Sequence, residues 1–426
     1  MLSHPTRTIQ PDSIFELLVS RVSSRAGLPV YDCSMNEWHL ARGFRYAGIV
    51  SGLRNEPDRR DIAVIVSDTP ATAAGVFTQN RVCAAPVHVS KARLPRADAR
   101  AIVVCSGNAN ACTGEQGMAD ARRMTELVAL ELGCKPEQVL VASTGVIGRP
   151  LPMPILEAGI PKATREVAAG HDALSHTAAA ILTTDTGIKI ATRETNGFTI
   201  TGFAKGAAMI GPNMATMLGF VLTDAAVSET DLQHTLKAAC DRSFNCISVE
   251  GHTSTNDTVF LLANGSGPQL AGPELAAFQD AVTSVCVELA RKIAIDAEGA
   301  EHLITIEVDG CRTDADARQI AKAIAESALV KTAVFGADPN WGRVVSAAGY
   351  SGVMFEEKDL SMWMGDMLLY KSGTPLPFDA KSASAYLKHN REVHFKLRFA
   401  LGNGRCTFHT CDLTPEYIRL NADYTT

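Results

Sequence analysis

Short apolar runs bounded by turn-forming residues alternate along the chain with longer stretches in which apolar residues recur at helical spacing. Runs of this length, bounded in this way, predict buried β-strands. They lie at Asp61–Ser67, Ala101–Ser106, Gln138–Ser143, Leu218–Thr223, Thr258–Ala263 and Leu303–Val308. Buried sheet is therefore expected in both halves of the chain.

Three longer stretches carry apolar residues at the three- and four-residue spacing of an amphipathic helix. The first lies between Gly114 and Gly133, and Gly133 is a natural helix stop. The second carries its stripe over Leu275–Ile293, after which Gly299 can serve as a C-cap. The third spans Ala317–Leu329. Strands and helices mixed throughout, without a strict βαβ phosphate fingerprint, predict a layered α+β fold.

Composition and charge restrict the classes of protein that this pattern can build. The 426 residues are 46% hydrophobic and 20% charged, which is the balance of a soluble globular protein with one large or two medium cores. A formal net charge of -6 gives no electrostatic basis for binding nucleic acid. No apolar run reaches the length of about 18 residues that a transmembrane helix needs, so no membrane partner is expected.

Residues 1–40 differ from the rest of the chain. An apolar stripe at helical spacing over Ile14–Val22 predicts a helix for docking or oligomer formation. There is no apolar signal-peptide core, and Asp12 and Glu16 argue against an organelle transit peptide, which is usually poor in acids. We therefore treat 1–40 as an N-terminal extension whose role the sequence leaves open.

Eleven cysteines are scattered along the chain with no C-x-x-C spacing. An odd number without a secretory signal predicts free thiols in a reducing compartment, and we expect a cytoplasmic protein. No cysteine–histidine cluster has the spacing of a zinc site, since neither Cys240 with Cys246 nor Cys406 with Cys411 has a paired partner. We expect no metal and no resident cofactor.

A glycine-rich segment, Ser106–Gly114, follows a predicted strand and precedes a predicted helix. In that position its backbone could hold an anion at the helix N-terminus. Its spacing matches neither the dinucleotide fingerprint nor the P-loop. The mismatch favours a turn that shapes a site over a phosphate loop.

The segment Lys205–Gly219 is rich in Gly, Ala and Met, carries one charge at its start, and holds Thr216 beyond its centre. A threonine is a weak nucleophile until a base removes its proton, and a threonine at a chain N-terminus uses its own α-amine for this. Thr216 gains such an amine only if the bond after Ala215 is cut. Taken alone, however, this run is more typical of the edge of a core strand.

The same segment resembles the self-cleavage and nucleophile motif of the arginine biosynthesis bifunctional protein family, the ornithine acetyltransferases or glutamate N-acetyltransferases. Further motifs of that family follow in order over about residues 43 to 426. They are Ser67–Phe77, Ser106–Gly114, Ser143–Gly148, Thr183–Thr186, Thr253–Asp257, Asp296–Ala300, Gly336–Arg343 and Asn421–Thr426. One motif would be weak evidence, whereas this ordered series is specific.

The resemblance implies a self-processing N-terminal-nucleophile fold. This is a layered αββα sandwich of the α+β class, with a second, smaller α/β region in the C-terminal half. It also implies cleavage between Ala215 and Thr216 into an alpha chain, 41–215, and a beta chain, 216–426. Two alpha and two beta chains are expected to form a heterotetramer.

The family's catalytic roles carry over to matching positions. Thr216 is implied as the nucleophile, and the Thr144 hydroxyl and the Gly145 N–H as oxyanion-hole donors. Such a donor is typically worth about 2.7–4 kcal/mol to the transition state.

The substrate-binding roles carry over in the same way. The implied positions are Thr183, Lys205, Thr216, Glu298, Asn421 and Thr426, of which Thr183 is the lesser candidate. A lysine suits the α-carboxylate of an amino-acid substrate, and Glu298 suits a δ-ammonium.

The implied reaction moves the acetyl group of N2-acetylornithine to L-glutamate through an acetyl-Thr216 ester, in a ping-pong cycle. No motif decides whether acetyl-CoA is also a co-substrate. One alternative is a self-processing hydrolase or aminopeptidase of the same architecture, in which water takes the acyl group. Another is a non-catalytic protein that has kept the fold, for which loss of Thr216 would be the expected sign.

Two departures from the family pattern stand out. The sequence has Glu250, Gly251 and His252 where the family more often has Asp-Gly-Asp, and Cys105 where the family's strand usually ends in Asn. Neither touches the nucleophile. We expect them to bear on loop packing or substrate preference.

Overall fold

A computed structural model describes residues 38–54, 56–195, 197–211 and 217–423. The predicted N-terminal helix, the bond between Ala215 and Thr216, and the C-terminal Thr426 lie outside these ranges.

The strands of the described residues are numbered in chain order. They are β1 Phe44–Ile49, β2 Ile62–Phe77, β3 Arg96–Asn108, β4 Val139–Val146, β5 Lys189–Thr195, β6 Phe198–Lys205, β7 Leu218–Thr223, β8 Thr258–Ala263, β9 Leu303–Cys311, β10 Leu360–Met364, β11 Met367–Lys371, β12 Thr374–Pro375, β13 Glu392–Phe399 and β14 Gly404–Cys411.

The helices are numbered in the same way. They are α1 Ala85–Lys91, α2 Gly114–Leu132, α3 Met153–Arg165, α4 His171–Ala180, α5 Glu229–Arg242, α6 Gly272–Ile295, α7 Asp314–Ala325, α8 Ala328–Phe335, α9 Trp341–Gly349, α10 Ala380–His389 and α11 Pro415–Asp423. Short 3-10 turns lie at Pro136–Gln138, Phe244–Cys246 and Glu357–Asp359. None of the described helices is long and apolar enough to cross a membrane.

The first sheet has eight strands in the order β4-β3-β2-β8-β7-β6-β5, with β1 also paired to β2. The long strand β2 joins its two halves. Its first part pairs with β1 and β3, and Thr72–Phe77 pairs with β8 after a register shift between Val66 and Ala71. This irregularity divides the sheet into two halves, which meet at β2. One half contains β1, β3 and β4, and the other contains β5, β6, β7 and β8.

The two halves of the sheet face each other across a shared core. Ile102 and Val104 of β3 belong to the same buried cluster as Phe220 of β7 and Phe260 of β8. Because successive side chains of a strand point to opposite faces, the residues between them face outward. Val103 accordingly packs in a separate cluster with residues of α2 and α3.

The outer face of the other half is covered in the same manner. Val221 of β7 and Leu261 of β8 pack with Leu236 of α5 and Leu289 of α6. The order of layers is helices α2 and α3, one half-sheet, the second half-sheet, and helices α5 and α6. This confirms the expected αββα sandwich.

The smaller α/β region is confirmed as well. Its six-stranded sheet has the order β12-β11-β10-β13-β9-β14, in which β9 and β13 are parallel. Ile306 of β9 packs with Ile320 of α7, Val334 of α8 and Leu387 of α10 in one buried cluster.

Some of the predicted elements match the observed ones, and others do not. β7 and β8 coincide with their predicted ranges, and Gly133 ends α2 in a left-handed conformation with φ 63°. The single helix predicted over 317–329 is wrong. It breaks after Ala325, because the Ser327 hydroxyl accepts a hydrogen bond from the Val330 N–H and so caps a new helix, α8.

The predicted C-cap role of Gly299 is wrong too. Helix α6 ends at Ile295, and Asp296 is its C-cap residue. The positive φ of Gly299, 68°, serves a different contact, described below.

Candidate active site

A cleft of about 130 Å³ lies where the ends of β4 and β6 meet the loop that precedes β8. Its wall brings together the sequence-predicted residues that the structure describes, namely Thr144, Gly145, Thr183, Lys205, Glu298 and Asn421. The remaining lining residues are Ala109, Ile147, Thr184, Ala208, Met209, Ser254, Thr255 and Asn256. Segments far apart in sequence therefore converge on one small cavity.

Thr144 and Gly145 lie near the end of β4, where the pairing with β3 is irregular. This irregularity, called here the Thr144–Gly145 turn, requires glycine at its second position. β4 runs parallel to β3, so that Gly145 lies beside Gly107. Gly145 has φ 129°, and a Cβ on it would lie 2.3 Å from the carbonyl carbon of Gly107. Only glycine allows this conformation and this approach. The turn thereby places a hydroxyl group and a glycine backbone in the wall of the cleft.

The glycine-rich segment Ser106–Gly114 supplies the other side of this approach. Its residues Asn110 and Cys112 have positive φ, 48° and 57°, and Ala109 lines the cleft. The segment is a turn that shapes the cavity, as its mismatch with the phosphate motifs favoured.

Lys205, the last residue of β6, is the buried cation of the cleft, with only 2% of its surface exposed. Its Nζ lies 3.8 Å from Asp185 Oδ2. Asp185 is already engaged, because its Oδ1 accepts hydrogen bonds from Lys189 Nζ at 2.7 Å and from the Gly206 N–H at 2.6 Å. The separation of 3.8 Å exceeds a hydrogen bond, so Asp185 and Lys205 interact as an ion pair without one.

The pKa values of this group reflect burial opposed by paired charges. Burial alone would raise the pKa of Asp185, but the ammonium groups of Lys189 and Lys205 hold it well below its ordinary value. Burial lowers the pKa of Lys205, against the raising effect of Asp185. A second anion beside Lys205 would stabilise its charged form, which suits the cleft to a carboxylate ligand.

Glu298 and Asn421 form the carboxylate-bearing part of the lining. The Asn421 side-chain amide on α11 donates to Glu298 Oε2 at 3.1 Å. Helix α11 can lie this close because Gly299 has no side chain, since a Cβ there would be 2.5 Å from the Tyr417 backbone nitrogen. The Thr414 hydroxyl fixes the contact by donating to the Gly299 carbonyl at 2.7 Å.

Thr183 lines the cleft and is held by Asp185, whose Oδ2 accepts from the Thr183 N–H at 3.1 Å. Asp185 itself belongs to one of the family motifs, yet sequence reasoning gave it no role. The available signal was an acidic residue within the Thr-rich motif Thr183–Thr186. Its partners Lys189 and Lys205 come close to it only in the folded protein. Ala215, Thr216 and Thr426 lie outside the described residues.

The two departures from the family pattern both lie close to this site. Cys105 is buried and donates to the Ser143 hydroxyl at 3.2 Å, directly before Thr144, and burial raises the pKa of its thiol to about 11. Burial raises the pKa of Glu250 to about 7. The backbone N–H groups of Val249 and Gly251, on either side of Glu250, both donate to the Ile210 carbonyl.

The arrangement offers a buried ammonium, a carboxylate with an amide beside it, and a hydroxyl-bearing turn. A small zwitterionic ligand matches this set of charges, because each charged end finds a group of opposite sign. Across the described ranges, no three His, Cys, Asp or Glu side chains are grouped so as to hold a metal ion.

Comparison with known proteins gives consistent matches. Residues 45–426 match the sequence profile of the ArgJ family. The chain is 47% identical over 395 residues to the arginine biosynthesis bifunctional protein ArgJ of Symbiobacterium thermophilum, covering 90% of this chain and 97% of that relative. It is 44% identical over 394 residues to the protein of the same name from Bacillus subtilis, covering 90% and 95%.

Among solved structures, ornithine acetyltransferase from Mycobacterium tuberculosis, complexed with ornithine, is 38% identical with a TM-score of 0.39. That match covers 40% of this chain and 92% of the other.

Proposed function

Because the chain belongs to the ArgJ family of arginine biosynthesis, we propose that it is an autoprocessed acetyltransferase. It moves the acetyl group of N2-acetylornithine to L-glutamate, giving L-ornithine and N-acetylglutamate. The observation that carries this proposal is the convergence of the Thr144–Gly145 turn, Lys205 and Glu298 in one cleft. Met209 lines the same cleft, and the chain continues from it toward Thr216.

Self-processing supplies the nucleophile. The Thr216 hydroxyl attacks the carbonyl carbon of Ala215, and the amide bond breaks as its nitrogen takes up a proton. Water hydrolyses the resulting ester, leaving a carboxylate on Ala215 and a free α-amine on Thr216. With a reference pKa of about 8, this amine is partly neutral at physiological pH and can act as a base. The products are an alpha chain ending at 215 and a beta chain, 216–426.

Acetyl transfer then proceeds in two steps. The Thr216 oxygen attacks the acetyl carbonyl of N2-acetylornithine, and the α-nitrogen of ornithine leaves with the proton that the Thr216 amine has carried from the hydroxyl. The amine of L-glutamate next attacks the acetyl ester and returns the proton to the Thr216 oxygen. Atoms and charges balance without a redox partner or metal ion.

The cleft residues divide the work of binding and stabilisation. Lys205 binds the α-carboxylate that donor and acceptor share, and this anion offsets the burial that lowers the pKa of Lys205. Glu298 binds the δ-ammonium of the ornithine moiety. The Thr144 hydroxyl and the Gly145 N–H stabilise the tetrahedral oxyanion, each by about 2.7–4 kcal/mol. Thr183, Asn421 and Thr426 complete the substrate pocket.

Family membership also supports a proposal on subunit composition and cellular location. Two alpha and two beta chains form the enzyme, in the cytoplasm. An assay with acetyl-CoA and glutamate, but without acetylornithine, tests whether acetyl-CoA is a second acetyl donor for L-glutamate.

The decisive experiment measures ornithine release from N2-acetylornithine with and without L-glutamate. The proposal requires release that depends on glutamate, together with two fragments of about half mass on a denaturing gel. Thr216→Ala should give a single band and no release. Equal release with water alone would instead identify a hydrolase of the same fold.

A further inference from the structure

The loop before β8 holds the residue that follows Thr216. β7 and β8 run parallel, with Leu218 opposite Thr258. The Met217 N–H donates to Asp257 Oδ1 at 3.1 Å, and the Met217 carbonyl accepts from the Thr258 N–H at 3.2 Å. This N–H belongs to the peptide that joins Met217 to Thr216. Asp257 therefore fixes the described end of that peptide.

The preceding residue, Asn256, reaches in the other direction. Its side-chain amide donates to the Ala109 carbonyl at 2.6 Å and to the Ser143 carbonyl at 2.8 Å. Its Oδ1 accepts from the Thr255 hydroxyl at 2.6 Å. Ser143 directly precedes the Thr144–Gly145 turn. Asn256 is thereby bonded to both segments that build the turn side of the cleft.

Asp257 is an unusual anchor because it is fully buried and only half engaged. None of its surface is exposed, and its Oδ2 has no hydrogen-bond partner among the described residues. Burial raises the pKa of its carboxyl well above the ordinary value, against the opposing effects of the Met217 N–H, Lys205 and Thr78. An amide has nearly the same shape as this carboxyl group and keeps one oxygen acceptor, so asparagine is its close isostere.

We propose that the adjacent pair Asn256 and Asp257 sets the position of Met217, at the start of β7, relative to the Thr144–Gly145 turn, with Asp257 acting as a positioning residue. One dipeptide is bonded both to the Met217 N–H and to the carbonyl of Ser143, the residue before Thr144, so that these two segments keep a fixed separation. A misplacement of about 1 Å at a reacting centre typically costs about 100-fold in rate. This inference rests on the proposed function for its kinetic part only.

The test compares Asp257→Ala with Asp257→Asn. Alanine removes the acceptor, and kcat for acetyl transfer should fall by about 100-fold while KM changes by less than about threefold. Asparagine keeps an oxygen for the Met217 N–H, so it should restore kcat to within about threefold of wild type. Equal impairment of both variants would show that the oxygen acceptor for the Met217 N–H is not what matters, and wild-type kcat in Asp257→Ala would overturn positioning altogether.

A readout independent of activity separates this proposal from the proposed function. In protein with isotope-labelled methionine amides, hydrogen exchange at Met217 should speed up about tenfold in Asp257→Ala but not in Asp257→Asn. Met217→Leu assigns the resonance. If wild-type protein transfers no acetyl group, yet Met217 exchange speeds up in Asp257→Ala and not in Asp257→Asn, the positioning stands and the proposed function fails. Unchanged exchange in Asp257→Ala contradicts the positioning.

Asp224 provides the matched control. It is also a buried aspartate, 1% exposed, and it accepts hydrogen bonds from the Thr199 N–H and from Arg42, both at 2.8 Å. It does not line the cleft. Asp224→Ala should lower stability but leave both Met217 exchange and the kcat of the folded protein unchanged. If kcat falls as much in Asp224→Ala as in Asp257→Ala, the kinetic effect of Asp257→Ala comes from general loosening of the core and not from positioning.

Discussion

Two cavities of the molecule differ in size and in lining. The larger, about 780 Å³, lies between α5, α6, α7 and the β9–β14 pair, and its wall mixes carboxylates and guanidinium groups such as Asp309, Arg318 and Arg405. The smaller, about 130 Å³, is the cleft that holds Lys205 and Glu298. The larger cavity contains none of the residues that the sequence motifs predicted for the site.

The two cavities differ more clearly in how deeply their charged side chains are buried than in their volumes. Lys205, in the wall of the cleft, is 2% exposed, and its ion-pair partner Asp185 is 8% exposed, whereas Arg405 of the larger cavity is an exposed residue. Removing charged groups from water costs free energy unless each is paired or hydrogen-bonded. A cleft that keeps such groups buried, on segments distant in sequence, has the physical signature of a functional site.

Gly145→Ala tests the small cleft most severely. The new Cβ would lie 2.3 Å from Gly107, so the turn must move, and with it the groups proposed as oxyanion donors. We expect kcat for acetyl transfer to fall by at least about 100-fold. Gly133→Ala is the matched control, because Gly133 also has a positive φ, 63°, but a Cβ added there would meet no atom of the described residues within 4 Å. That variant should lose stability without losing kcat, and equal kinetic loss in both would contradict a local role for Gly145.

A comparison of the variants Lys205→Met and Arg405→Met tests which of the two cavities is the active site. Loss of the buried ammonium removes the charge-assisted contact proposed for the substrate carboxylate, and kcat/KM should fall by about 10- to 100-fold. Arg405→Met removes an exposed charge from the larger cavity and should change kcat/KM by no more than about twofold. Steady-state rates with varied N2-acetylornithine provide the measurement. The reverse order of effects would move the site to the larger cavity.

Glu250→Gln should give the smallest effect, visible as a pH dependence of stability. The pKa of Glu250 is raised from 4.5 to about 7, so the folded state holds a proton that the unfolded state has released between these values. Stability therefore declines as pH rises through this window, and glutamine removes the decline. The Tm of the variant relative to wild type should increase from about pH 5 to about pH 8. A constant difference would show that burial does not perturb Glu250.

Much of the fold could be predicted because local signals matched the final environment. β7 and β8 are short apolar runs between turn residues, and both remain buried in the sandwich, so pattern and structure agree. The break at Ser327 could not be predicted from apolar spacing, because the stripe continues across it and one hydroxyl decides the cap.

The site shows the same division. Motif resemblance identified Lys205, Glu298 and Asn421, and the fold brings them together. The network of Asp185 with Lys189 could not be predicted, because it depends on the close approach of separate segments in three dimensions. The full burial of Asp257 is likewise a property of packing, which no local pattern encodes.

The central claim is that Thr216 becomes an N-terminal nucleophile that carries the acetyl group. Intact-protein mass spectrometry after incubation with N2-acetylornithine alone tests it most directly. We predict a fragment that begins at Thr216 and is heavier by one acetyl group, and addition of L-glutamate should return it to its original mass. A single uncleaved chain, or a processed fragment whose mass never changes with N2-acetylornithine, would contradict the account.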